Sequence, residues 1–467
     1  MGNQSSDGFS EPFDRDKWIA HSLKHRSDRD EIDNLSTRPP EGEFVRTLSA
    51  TIADVYMGAQ VGAFGEHLAN VGWSNPEDNP SLTINHAIDE RTTTWGNFRL
   101  LPIEAQSGLF YQPAGYCALP DGVSEVYVSY VLVTPKLVLL ASTFVCDNQI
   151  SGVLQDALMT DAESRFEVLE DRIVQGSLDF AKRRAISSVR ESLRTAIFTW
   201  VQSHYGAGAL ATWKRLKNPF CVLASMHGEI SFAHGHRYMD LLDINPVSIA
   251  FESDADPGLF VVYPRTFNAP SEMWAFFHDR ESLPAVGQMS SENLPFRFHQ
   301  LIAPLTMVEA VRLSLEDLST QTEVAGDSLD EMSLERGQDA QIPTLRAIQL
   351  DLAVSLSRFC DGVDELATKH FLLWNEYPKM KVADGSINSA FAPTPVNQKQ
   401  ALSELTKQIR SQEKSLRDLV SITSAAIVDR DMLDLTRDLK TLTKWLAALT
   451  CLSIVVATIA LVVSTAN

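Results

Sequence analysis

The most constraining feature of this chain is a stretch of 19 residues, Trp445 to Val463, without a charge, a proline or a glycine. As a helix rising about 1.5 Å per residue, it would be roughly 28 Å long, close to the hydrocarbon thickness of a bilayer. A buried core helix usually keeps a polar stripe, which this stretch lacks. We therefore expect a single transmembrane helix over 445–464. The expected anchor residues are Trp445, Leu446, Leu449, Ile454, Val455, Val456, Ile459, Leu461, Val462 and Val463.

Charges beside this stretch predict its orientation. Arg437, Lys440 and Lys444 precede it, and residues 464–467 follow it. Positive residues tend to stay on the cytoplasmic side of a membrane. The sequence therefore predicts a tail-anchored, single-pass membrane protein that contacts the lipid bilayer and has its N-terminal bulk in the cytoplasm.

The overall charge excludes some classes of partner. The formal net charge is -20, whereas a general nucleic-acid binder shows a basic face, so we expect no nucleic-acid partner. The same charge argues against a peripheral protein held by anionic lipid. The scattered cysteines contain no Cys-x-x-Cys pair, which favours a reducing compartment. They are Cys117, Cys146, Cys221, Cys360 and Cys451.

The N-terminal residues 1–41 are polar, and the sequence predicts a disordered tail. No apolar run follows Met1, so we expect no secretory signal. Gly2 with Ser6 matches the pattern for N-myristoylation, which has meaning only in a eukaryote. An ordinary disordered start explains the same residues.

Residues 42–300 alternate between patterns typical of helices and of strands. Residues 42–72 carry apolar side chains at roughly helical spacing, which predicts a helix. Three pairs of β-branched and aromatic runs, at 125–145, 220–233 and 247–263, predict three hairpins. We therefore expect an α+β soluble domain with antiparallel hairpins and long helices.

The remainder is predicted to be mainly helical. Residues 161–204 have helical spacing within the first domain. Residues 301–380 form a helical segment, which the acidic linker 319–342 interrupts, and residues 381–395 form a second linker. An amphipathic helix at 396–444 would act as a stalk leading into the membrane segment.

The stalk shows the spacing of a coiled coil, in which apolar residues alternate at three and four positions. The pattern has a phase shift in the middle, which locally changes the supercoil. Two interpretations stay open: copies of the chain associate through 396–444, or the stalk packs on the chain's own helix at 343–377. The residues in the pattern are Leu402, Leu405, Ile409, Leu416, Leu419, Val428, Met432, Leu435, Leu439 and Leu442.

Common catalytic signatures are absent from the sequence, including the Gly-x-x-x-x-Gly-Lys phosphate loop, Gly-x-Gly-x-x-Gly, His-Glu-x-x-His and Gly-x-Ser-x-Gly. A long helix leading into a C-terminal apolar segment is similar to the arrangement in CorA-type magnesium channels. That family has a second membrane helix and a Gly-Met-Asn motif, and this sequence has neither, so its function is not carried over.

One cluster of residues has the chemistry of a metal site. His227, Glu229, His234 and His236 lie within ten residues. Residues two apart on a strand share a face, and histidine nitrogens with a carboxylate suit zinc or iron. Polar loop histidines are the ordinary alternative. A second candidate for a divalent cation is the pair Asp254 and Asp256, for which a solvated acidic turn is the ordinary alternative.

These observations leave three hypotheses for function. The first is a membrane-anchored, non-enzymatic protein whose α+β domain binds a partner protein or a ligand, with a stalk that self-associates. The second is a membrane-tethered, metal-dependent hydrolase built on the histidine cluster. The third is a pore-forming or effector membrane protein.

Overall fold

The computed structural model describes most of the N-terminal two thirds of the chain and parts of the remainder. The described residues are 15–73, 77, 79–105, 114–163, 165–168, 173–212, 218–227, 230, 232, 237–242, 244, 249–253, 258–263, 272–278, 294–334, 359–363, 380–384, 403–404, 406–412, 414–415, 417–418, 421, 432–450 and 453.

The described elements alternate along the chain. The helices are α1 (Arg15–Thr37), α2 (Ala59–Ala69), α3 (Pro80–Glu90), α4 (Asn148–Ser151), α5 (Val153–Met159), α6 (Leu178–Tyr205), α7 (Ala209–Thr212), α8 (Arg237–Leu241) and α9 (Leu294–Leu334). The strands are β1 (Phe44–Met57), β2 (Gly72–Trp73), β3 (Thr94–Pro102), β4 (Ala114–Cys117), β5 (Val123–Thr134), β6 (Leu137–Cys146), β7 (Arg165–Val168), β8 (Ile173–Gly176), β9 (Phe220–His227), β10 (Ile249–Ser253), β11 (Leu259–Tyr263), β12 (Glu272–His278) and β13 (Met380–Val382).

Eleven of these strands form one mixed sheet in the order β13-β10-β11-β12-β9-β1-β6-β5-β3-β4-β2. Two neighbouring pairs, β9 with β12 and β3 with β4, run parallel, and the other described pairs run antiparallel. The strands β7 and β8 form a separate two-stranded sheet.

Strand β1 lies at the centre of the large sheet, between β6 and β9. The helix predicted over 42–72 is therefore wrong for residues 44–57. A bulge between Thr47 and Ser49 shifts the pairing with β9, so the apolar residues do not alternate strictly along the strand. Because both faces of β1 are covered, its apolar side chains lie on both sides, and this pattern resembles helical spacing.

Two of the three predicted hairpins are confirmed. Strands β5 and β6 pair antiparallel, with Val126 opposite Phe144, and β10 pairs with β11. The hairpin predicted over 220–233 is wrong, because β9 pairs with β1 and β12 instead. Ile230 and Phe232 are described and lie in no strand.

The sheet carries apolar residues on both faces, which gives a three-layer arrangement. On one face, Tyr56 of β1 and Phe144 of β6 pack among side chains of α2, α3, α5, α6 and α8, including Phe64 and Trp200. On the other face, Leu223 and Val261 belong to a second cluster. Helix α9 covers this second face with Phe298, Leu301, Ile302 and Leu305.

Three predicted boundaries differ from the structure. Part of the tail predicted to be disordered forms α1. The helix predicted from 161 begins at α6, after the β7–β8 hairpin. The predicted acidic linker 319–342 is helical as far as Leu334, because α9 continues through it, and its remainder lies outside the described residues. Glutamate and alanine favour a helix even where few apolar residues are buried.

The chain divides into two compact units, one of Met1–Asp317 with Arg358–Thr406 and one of Leu318–Ser357 with Lys407–Asn467. The large sheet belongs to the first unit. In the second unit, α9 ends at Leu334, and the described positions between 407 and 421 and those at 432–450 are helical.

The predicted fold class, which includes a transmembrane helix over 445–464, is wrong. Among the described residues, no helix is both long enough and apolar enough to cross a membrane. The described helix at 432–450 carries five charged side chains in its first thirteen residues. Of the expected anchor, Trp445, Leu446 and Leu449 lie in this helix, and the residues from Ile454 to Val463 lie outside the described residues.

Substitution of the glycine just before β5 tests the packing at the edge of this strand. Gly122 has a φ of 78°, and its carbonyl accepts a hydrogen bond of 2.8 Å from the Asp147 amide. A methyl group at this position would overlap with the side chain of Ile150. We expect Gly122→Ala to lower the free energy of unfolding by about 2–3 kcal/mol, measured by chemical denaturation.

The matched control for this substitution is Gly152→Ala. Gly152 has a φ of -83°, and a Cβ built there meets nothing within 4 Å. The control should change the free energy of unfolding by less than about 1 kcal/mol. Equal losses in both variants would contradict the close packing of Gly122 on Ile150.

Candidate interaction site

The predicted metal site is described only in part. His227 is the last residue of β9, and its exposed ring stacks on Phe44 with ring centroids 5.0 Å apart. The other three residues of the cluster, Glu229, His234 and His236, lie outside the described residues, as do Asp254 and Asp256. Among the described residues, no group of three or more His, Cys, Asp or Glu side chains is placed to hold a metal ion.

The basic side chains of α6 contact the protein itself. The Lys182 Nζ donates a hydrogen bond of 3.0 Å to the Leu158 carbonyl, and the Arg194 guanidinium donates one of 3.0 Å to the Asn218 carbonyl. The Arg190 guanidinium lies 4.2 Å from the centre of the Trp274 ring. Since these contacts hold α6 against the rest of the domain, they give these side chains a structural role.

A buried histidine lies between α9 and the sheet. His299 has 1% of its surface exposed. Its Nε2 lies 2.7 Å from the Ser129 Oγ, and its Nδ1 lies 2.7 Å from the Thr143 Oγ1. The Thr143 hydroxyl in turn lies 2.7 Å from that of Thr51, and the Ser129 hydroxyl donates to the Asn97 Oδ1 at 2.5 Å. These polar groups form a continuous chain across four neighbouring strands.

Ser129 and His299 lie at the distance of a nucleophile and its general base, but the Ser129 hydroxyl donates its proton to Asn97. Burial also lowers the pKa of His299 from 6.5 to about 3. A general base works best when its pKa lies near the working pH, and both ring nitrogens of His299 already contact hydroxyl groups. The chain of hydrogen bonds therefore positions α9 on the sheet rather than activating Ser129.

The described cysteines of the sheet are poor nucleophiles as well. Burial raises the pKa of Cys117, Cys146 and Cys221 to about 12, so their thiols stay protonated near neutral pH. The thiolate is the reactive form of cysteine. These thiols therefore act as small apolar side chains in the packing of the sheet.

A shallow groove of about 730 Å³ lies between α6 and the loop that precedes β5. Five hydroxyl side chains line it, and the Trp200 ring closes its floor, with its indole N–H donating to the Ala118 carbonyl at 2.7 Å. The hydroxyl residues are Ser188, Ser192, Thr195, Thr199 and Ser203. It is wide open to solvent, so it lacks the enclosure of most ligand sites.

The first half of the predicted stalk packs on its own chain. Gln412 accepts a hydrogen bond of 2.8 Å from the Ser319 hydroxyl and donates one of 2.9 Å to Glu323, and both partners lie on α9. Ile409, one turn earlier, is fully buried. This half therefore supports the intramolecular interpretation through its contacts with α9. Of the helix predicted at 343–377, only 359–363 is described.

The second half, the helix at 432–450, presents apolar side chains to water. Six of them follow one another at alternating spacings of three and four, and each keeps 57–64% of its surface exposed. We call this set the seam. The seam consists of Met432, Leu435, Leu439, Leu442, Leu446 and Leu449. This spacing matches the a and d positions of a coiled-coil heptad, and the six residues are numbered accordingly.

The positions beside the seam include threonines whose hydroxyls are bonded within the helix. Thr436, Thr443 and Thr450 follow a repeat of seven at the e positions. Each hydroxyl donates to the backbone carbonyl four residues earlier, at 2.6, 2.7 and 2.7 Å. Because these hydroxyls are already bonded within the helix, a partner that covers them leaves no unsatisfied polar group.

Comparisons with known proteins add little to this geometry. No family model and no curated protein matches the chain. Among solved structures, the chain is similar to the CorA magnesium transporter from Methanocaldococcus jannaschii, with 12% sequence identity over 49% of this chain and 74% of that chain. The TM-score of 0.20 shows that the likeness is weak, and it carries no argument about function.

The sequence indicated part of this site. The heptad spacing of Leu435, Leu439 and Leu442 is visible in the sequence, but the structure was needed to show that these side chains are exposed. The buried His299 was missed. No sequence signal marks it, because its hydroxyl partners lie more than 150 residues away in the chain.

The lowered pKa of His299 predicts a specific acid sensitivity. Its folded pKa of about 3 lies below the unfolded value of about 6.5, so the unfolded state binds the proton first. The stability that neutral His299 contributes is therefore complete above pH 6.5 and is lost as the pH falls towards 3. We expect the loss in unfolding free energy between pH 7 and pH 5 to be about 2 kcal/mol smaller in His299→Gln than in the wild-type chain.

The measurement is chemical denaturation at both pH values, with His86→Gln as the matched control. His86 is an exposed histidine of α3, so its replacement removes an imidazole without disturbing the buried His299. An unchanged pH dependence in His299→Gln would show that His299 is accessible to protons in the folded state.

Proposed function

We propose that this chain is a non-enzymatic assembly protein in which copies of the chain join along the seam in a coiled coil. The observation that carries the proposal is the exposure of six apolar side chains at heptad spacing on the helix at 432–450. Burying one leucine or methionine side chain stabilises an association by roughly 1.5–3 kcal/mol.

The size of the seam fits this role. Six such side chains per copy represent roughly 10 kcal/mol of favourable burial, which is comparable with the cost of about 4–15 kcal/mol for bringing two molecules together. Two copies bury two seams, so the gain exceeds the cost. Self-association also explains why every a and d position from Met432 to Leu449 carries an apolar residue.

The rest of the described chain supports a binding role over a catalytic one. The buried Ser129–His299 pair has a base with a pKa of about 3, and Cys117 and Cys221 have pKa values of about 12. Glu229, His234 and His236, on which a metal-dependent hydrolase would depend, lie outside the described residues. The exposed apolar seam favours a binding role.

The proposal is tested by the mass of the full-length chain in solution. The wild-type chain at tens of micromolar should sediment as a multiple of 51.8 kDa. The double substitution Leu439→Lys with Leu442→Lys places two charges in the seam and should give a particle of 51.8 kDa, with the dissociation constant raised more than roughly 100-fold.

The matched control is Leu433→Lys on the same helix. Leu433 is also exposed, but it occupies the b position, away from the seam. The control should assemble like the wild-type chain, and circular dichroism should show the same helix content in all three proteins. A wild-type particle of 51.8 kDa, or equal assembly of both lysine variants, would refute the proposal.

A further inference from the structure

The charges along the helix at 432–450 are concentrated toward its N-terminal end, so the two ends of the seam have different surroundings. The first thirteen residues carry Asp434, Arg437, Asp438, Lys440 and Lys444, and the last six, from Trp445 to Thr450, carry no charge. Two helices joined along their seams therefore bring together different surfaces in the two possible directions.

An antiparallel pair places the uncharged end of each helix beside the charged end of the other. Met432 would lie opposite Leu449 of the second copy, and Trp445 would lie beside Asp438 of the second copy. The indole ring would then remove water from a carboxylate without supplying an opposite charge. Loss of hydration around an unpaired carboxylate is unfavourable.

A parallel pair in register avoids this contact. In parallel coiled coils, a g residue of one helix faces the next e residue of the other. Asp438 would face Thr443 of the second copy, and Trp445 would face Thr450 of the second copy. The hydroxyls of both threonines are bonded within their own helix, so the indole ring meets a surface with no polar group left unpaired.

We infer that copies of this chain pack their 432–450 helices parallel and in register, with each seam residue against the same residue of the second copy. The inference rests on the proposed function and adds the direction of the assembly. Its consequence is that all copies enter the coiled coil from the same end, as they do in a scaffold that gathers identical domains on one side.

Single cysteines at the two ends of the seam test the direction. The full-length chain with Cys451→Ser serves as the background, and it receives either Met432→Cys or Leu449→Cys. In the parallel register, each cysteine lies against its own counterpart within the distance of a disulfide, and most chains should form a covalent dimer under mild oxidation. In the antiparallel arrangement, each cysteine lies about 25 Å from its counterpart.

The control is Arg437→Cys in the same background. Arg437 occupies the f position on the opposite side of the helix, so this variant should stay uncrosslinked. Its sedimentation should match that of the wild-type chain, because its seam is intact.

Each other outcome overturns the inference in a recognisable way. Covalent dimers that form only when the Met432→Cys and Leu449→Cys chains are mixed show an antiparallel assembly, and the proposed function stands. Assembled particles without any crosslink show that the register is different. Monomers by sedimentation, with no crosslink, show that the proposed function itself has failed.

Discussion

The constraint on which this structure depends is that both faces of the central strand β1 are covered by protein. Tyr56 packs on one face with the helices that follow β1, and Thr51 lies on the other, where its hydroxyl meets that of Thr143. A strand buried on both faces must satisfy its polar side chains within the protein. The Thr51 hydroxyl is paired with that of Thr143, and the hydrogen bonds from Thr143 through His299 and Ser129 to Asn97 hold α9 on the second face of the sheet. The position of α9 therefore follows from the polar residues of the strands as much as from the apolar ones.

Helix α9 then links the layered domain to the C-terminal helices. Its first half covers the sheet with Phe298 and Leu305. Its second half carries Ser319, whose hydroxyl donates a hydrogen bond to Gln412. The stalk residues near 412 are thus satisfied by their own chain, whereas the seam from Met432 to Leu449 is left to water. One heptad pattern in the sequence therefore has two different environments in the structure.

Local sequence signals predicted the elements that depend on local contacts. The hairpins β5–β6 and β10–β11 were predicted because β-branched runs flank short turns. Strand β1 was not predicted, because its bulge between Thr47 and Ser49 and its two buried faces produce an apolar spacing that a helix also shows. Its partners β6 and β9 also lie about 90 and 170 residues further along the chain. The contacts of His299 and Gln412 depend on similarly distant residues, so neither was visible in the sequence. The transmembrane helix was inferred from apolarity alone, and the described part of that stretch belongs to a helix whose first half is charged.

The proposed assembly requires that the six side chains of the seam leave water when copies of the chain meet. The most direct test is amide hydrogen exchange of residues 435–449 in the full-length wild-type protein. An isolated, exposed helix of this length opens readily and exchanges nearly as fast as an unfolded chain. In the proposed assembly, we expect these amides to exchange orders of magnitude more slowly than in an unfolded chain, as amides in a packed coiled coil do. Exchange at the rate of an unfolded chain, with the strands of the sheet still protected, would contradict it.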